Sequence, residues 1–144
     1  MFPESIGRAQ PGMAEDRTPR LTATRWFMVV AALSLLIASQ IHFGNLVSGY
    51  EDPGAAVPES VIGGVMLLGL LFSWAPPPWG RRAAIGALAF GLAGSTLGLV
   101  LVAIGIGPRT VPDVIYHVLL VTTLVVGLIQ AVRRPPGVGS ASTR

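Results

Sequence analysis

The stretch Gly107-Pro108-Arg109-Thr110-Val111-Pro112-Asp113-Val114-Ile115-Tyr116-His117 decides how the chain is read. Gly107-Pro108 is a tight turn, and Thr110-x-x-Asp113 reads as a variant capping box, with Thr110 as N-cap and Asp113 at the third helical position. On one side lie the 26 residues Ala83–Pro108 without a formal charge, and on the other the 19 residues Val114–Val132. A bilayer core about 30 Å thick needs roughly 20 apolar residues in a helix to cross it. A turn of a few residues between two such runs therefore predicts two antiparallel membrane-spanning helices.

The N-terminal half repeats the pattern. Between Arg25 and Glu51 lie 25 uncharged residues, and Ser60–Gly80 adds 21 more. The predicted spans are 26–46, 57–75, 83–106 and 112–132. Connections of about 5–11 residues make successive helices antiparallel neighbours. The expected fold is an all-α membrane protein, an antiparallel up-down-up-down four-transmembrane-helix bundle over 25–134. Residues 1–24 and 135–144 carry Pro, Gly and mixed charge without apolar periodicity, and are expected to be disordered cytoplasmic tails. Met13 competes with Met1 as the start, and the first run reads as a retained signal anchor.

Composition agrees. Of 144 residues, 51% are hydrophobic and 12% charged, half of the roughly 25% charge typical of a soluble domain. The net charge is +3, and its positive charges are all arginine, placed in ones and twos beside the spans, which argues against nucleic-acid binding. With both termini in the cytoplasm, Arg8, Arg17, Arg20, Arg25, Arg81, Arg82, Arg133, Arg134 and Arg144 lie inside. Only Arg109 falls outside, near the Glu51-Asp52 loop, as the positive-inside rule requires. All-arginine usage with abundant Ala, Gly, Pro and Val suggests a bacterial protein, hence a multi-pass protein of the plasma (inner) membrane. The absence of cysteine excludes disulfides, thiolate metal sites and dithiol chemistry.

The third run carries small residues along one face: Ala87, Gly91, Gly94, Gly98 and Gly105. Such a stripe lets another helix backbone approach closely, either within the chain or from a membrane-protein partner or second copy.

Several site chemistries find no residues. There is no phosphate-binding glycine loop, no His-x-x-x-His pair and no Gly-x-Ser-x-Gly. Four-span multidrug exporters rely on a glutamate deep in their first helix, whereas Trp26–Ile41 contains no ionisable group. What remains is a polar cluster at one rim. Ser39, His42 and Asn45 follow one stripe of the first span, Glu59 begins the second beside Pro58, and Asp113, Tyr116 and His117 begin the fourth. His42 and His117 are expected at similar depth. Asp113, four residues before His117, can orient its ring or act as a ligand.

Two histidines with carboxylates suit zinc or copper, and two histidines across a bundle suit a haem. The same residues also fit a polar pocket for a small ligand or quinone, or plain interhelical hydrogen bonding. The expected role is a non-catalytic accessory or interaction subunit docking through the third span. Against it stand a redox or ligand-binding protein with a periplasm-side His42/His117 site, and an oligomeric small-solute transporter.

Overall fold

The computed structural model describes residues 18–76, 78–106 and 110–133. The Gly107-Pro108-Arg109 turn and both expected tails beyond these limits, with Met1 and Met13, lie outside the described residues. Four helices follow in order: α1 Thr18–His42, α2 Pro53–Phe72, α3 Trp79–Ala103 and α4 Val111–Val132. Among the described residues there is no strand. Each helix is long and apolar enough to cross a membrane.

The helices are antiparallel neighbours. Arg25, early in α1, bonds Ser73 just past the end of α2, and Arg81, early in α3, bonds Ala131 at the end of α4. α1 packs on α2 and α4, and α3 completes the ring against the same two, while the α1–α3 diagonal touches only weakly. Met28, Leu35, Met66, Leu88 and Leu124 fill the axis, all fully buried. Leu33, Ile37, Leu68, Leu97 and Leu119 are more than half exposed. An apolar exterior around an apolar core is stable in lipid and not in water, as in a multi-pass membrane protein.

Helix ends differ from the expected spans for local reasons. α1 is already helical at Thr18, the first described residue, so residues 18–24, expected in the tail, belong to the helix. α1 ends at His42, short of 46, because Gly44 adopts φ +76° and closes a Schellman motif, with Gly44 N–H donating to Ile41 O and Asn45 N–H to Gln40 O. Asn45 therefore leaves the helix, and the expected Ser39–His42–Asn45 stripe stops at His42. α2 begins at Pro53, capped by Asp52, whose side chain accepts from Gly54 N–H. Pro58 consequently lies inside the helix.

Of the small-residue stripe, Gly91, Gly94 and Gly98 face into the bundle. A Cβ on Gly91 would stand 2.6 Å from Met66 Cε, one on Gly94 2.5 Å from Ile62 Cδ1, and one on Gly98 3.0 Å from His117 Nε2. These glycines admit α2 and α4 of the same chain, so they do not form the outward docking face expected of them. Gly105 departs from the stripe altogether. It has φ +85° and open space around it, and it terminates α3 through a second Schellman motif.

Candidate functional site

A cavity of about 280 Å³ lies at the end of the bundle where α1 and α3 finish and α2 and α4 begin. All four helices contribute to it. His42 comes from α1, Glu59 from α2, Gly94, Ser95 and Gly98 from α3, and Asp113, Tyr116 and His117 from α4. Its floor is apolar, made by Leu35, Ile62 and Leu120.

Glu59 is placed by the early start of α2. Six residues past Pro53, it stands about 9 Å along the axis, beyond the first turn in which the helix dipole stabilises a carboxylate. The expectation that Glu59 begins the helix is corrected accordingly. Glu59 is buried at 6% exposure and its partner is another side chain: Oε2 accepts from His42 Nδ1 at 2.8 Å. On its other edge His42 Nε2 lies 4.0 Å from Asp113 Oδ1. The buried His42 ring thus sits between carboxylates from two different helices. One turn further in, Ser39 Oγ and Ser60 Oγ bond at 2.5 Å and tie α1 to α2.

Asp113 serves two neighbours. Its Oδ2 accepts from the Thr110 N–H and hydroxyl, and its own N–H donates to Thr110 Oγ1, forming the expected capping box. That leaves Oδ1 toward His42. His117 bonds within its own helix, Nδ1 donating to Asp113 O at 2.8 Å. A carbonyl only accepts, so the Nδ1 carries the proton. In the neutral ring Nε2 is then an acceptor, set against the gap that Gly98 leaves. Tyr116 packs edge-on to His117 with ring centroids 5.1 Å apart.

Three residues lining the cavity hold a buried polar atom without a hydrogen-bond partner among the described residues: Glu59 Oε1, Ser95 Oγ and Tyr116 OH. Buried polar groups are satisfied in the large majority of cases, and each one left unmade costs about 1–3 kcal/mol. Three around one cavity mark it off from the rest of the core, where Thr24 Oγ1 is the only other such atom among the described residues. Sequence reading missed Ser95. Its signal was a hydroxyl four residues from Gly91 and three from Gly98, on the face that α2 and α4 cover.

The structure thus brings His42, Glu59, Asp113, Tyr116 and His117 to one cavity. Among the described residues no group of three or more His, Cys, Asp or Glu is arranged to hold a metal ion. Both Nδ1 atoms and one oxygen of each carboxylate already have partners. The cavity is also below the roughly 300–1,000 Å³ of drug-sized sites, too small to enclose a haem.

The chain matches no protein-family model, no curated protein and no solved structure.

Proposed function

We propose that this is a small multi-pass protein of the bacterial plasma membrane, with both termini cytoplasmic, that binds a small ligand in the cavity at its periplasmic end. The observation that carries this reading is the meeting of Glu59 Oε1, Ser95 Oγ and Tyr116 OH, none of them partnered among the described residues, around one cavity. Docking of a partner through α3 loses its support, because Gly91, Gly94 and Gly98 face neighbours within the chain. The orientation rests on arginine placement, with Arg25, Arg81, Arg82 and Arg133 at the end opposite the cavity.

Two experiments test the two parts. Ala55 lines the cavity and is half-buried, so Ala55→Phe fills it while every polar side chain is retained. Native mass spectrometry of protein released from its membranes is expected to show a small-molecule adduct on the wild type and none on Ala55→Phe. An adduct unchanged by the plug would defeat the binding reading. For orientation, Ser48→Cys and Trp79→Cys lie at exposed positions of opposite ends. An impermeant maleimide applied from the periplasm should label position 48 and spare position 79; the reverse pattern inverts the topology.

A further inference from the structure

We infer that the ligand is a lipid-soluble amine: a primary ammonium head on an apolar body, entering sideways from the membrane between α2 and α3. This rests on the proposed cavity-binding function and assigns its ligand class.

The head follows from donor and acceptor chemistry. Glu59 Oε1 is an acceptor when ionised, and His117 Nε2 is an acceptor because its Nδ1–H is held by Asp113 O. Ser95 and Tyr116 hydroxyls accept as well as donate. A head that fits must therefore be rich in donors. A quinone offers acceptors only and would face Glu59 and His117 with no hydrogen to share. An alcohol offers one donor. A primary ammonium offers three, enough for Glu59 and two of the other three acceptors.

Charge points the same way. Three carboxylates, Asp52, Glu59 and Asp113, and two imidazoles, His42 and His117, line the cavity. Even with both imidazoles protonated, three ionised carboxylates exceed them by one negative charge, in surroundings where an unbalanced charge is costly. A monovalent cation balances the count.

The body and route follow from the shape. Leu35, Ile62 and Leu120 make an apolar floor, but about 280 Å³ holds little more than a head and a short stretch of chain. The rest of the molecule must lie outside the cavity. Four lining residues are exposed: Gly54 and Ile106 at the end of the bundle, and Pro58 of α2 and Leu97 of α3 on its side, Leu97 at 60%. The second pair marks a mouth between α2 and α3, on the apolar outer surface, so a tail passing through it stays in hydrocarbon.

The test uses four probes with one 12-carbon tail: dodecylamine, dodecyltrimethylammonium, dodecanol and dodecanoate. Each competes with radiolabelled dodecylamine on full-length protein in zwitterionic nanodiscs, with uptake by empty nanodiscs subtracted. Dodecylamine should win by about tenfold or more, the scale of one hydrogen bond to a charged group. The trimethylammonium probe keeps the charge without an N–H, so its failure to compete separates hydrogen bonding from simple attraction.

Tyr116→Phe and Ser95→Ala each remove a hydroxyl that has no partner among the described residues. Each should weaken dodecylamine binding several-fold while leaving thermal stability of the ligand-free protein equal or higher. A structural hydroxyl would give the opposite pair of signs. Equal binding of all four probes, or dodecanol matching dodecylamine, overturns the amine assignment; if Ala55→Phe still abolishes that binding, the cavity itself survives as a site. Binding unaffected by Ala55→Phe, or none above empty nanodiscs, overturns the inference at its base and marks the polar atoms as partnered by water alone.

Discussion

At one end of the bundle arginines reach across to neighbouring helices, while at the other acids and histidines face inward. Arg25 donates to Ser73 Oγ and O at 3.0 and 2.8 Å and stacks 4.6 Å from the Trp74 ring centroid. Arg81 donates to Ala131 O and Val132 O at 2.9 and 2.7 Å. These carbonyls terminate α2 and α4, where a helix leaves its last acceptors unmade and carries partial negative charge. A cation on a long stem meets both needs and keeps its head near water. The opposite end does not close in this way. His42 lies between Glu59 and Asp113, and three further polar atoms around the cavity have no partner among the described residues. Polar groups that are all satisfied hold helices together, whereas a partly satisfied set is poised for something else to complete it.

The sharpest break of this contrast is His42→Ala. It would leave Glu59 buried without the imidazole, and losing one partner of a buried pair costs about 3–5 kcal/mol. Urea unfolding in bicelles measures it. Replacing the pair together, His42→Leu with Glu59→Leu, should recover most of that loss, since the uncompensated charge is gone. A loss under about 1 kcal/mol for His42→Ala would mean that Glu59 does not depend on its partner, and the contrast between the ends would fail.

Arg81→Ala comes next. It frees two helix-terminal carbonyls close to water, which can take their place as donors, so about 1–2 kcal/mol is expected. The loss should be felt at the α3–α4 contact, as faster amide exchange in the last turn of α4. A larger loss than that of His42→Ala would reverse the ranking of the two ends.

The smallest effect belongs to the loop beside the cavity. Glu51 accepts from Gly49 N–H with both oxygens, at 3.0 and 2.9 Å, and this bond holds its carboxyl below the usual carboxylate range. A carboxyl depressed in the folded state adds stability above its unfolded range and loses it as pH falls through the folded value. Gly49 amide protection should therefore drop on acidification and survive alkalinisation. Protection that does not change with acid would show that the loop is held by other bonds.

The sequence alone determined the number of spans, their antiparallel order and the arginine-poor end. Membrane thickness acts along one dimension, so the length of an uncharged run is enough to read a span. The Thr110–Asp113 cap was equally legible, because its partners are three residues apart. Which way a side chain turns was not legible in this manner. Glu59 read as a helix start until the Asp52 cap moved the beginning of α2 to Pro53 and put the carboxylate opposite His42. Asn45 read as part of a polar stripe until Gly44 ended α1 ahead of it. Gly91, Gly94 and Gly98 read equally well as an outer or inner face until Met66, Ile62 and His117 closed over them. Ser95 gained meaning only when four helices met around it. Rotation and register of a helix are set by packing against its neighbours in three dimensions, and in lipid the apolar pattern that would reveal them in water is absent, because both faces of the helix are apolar.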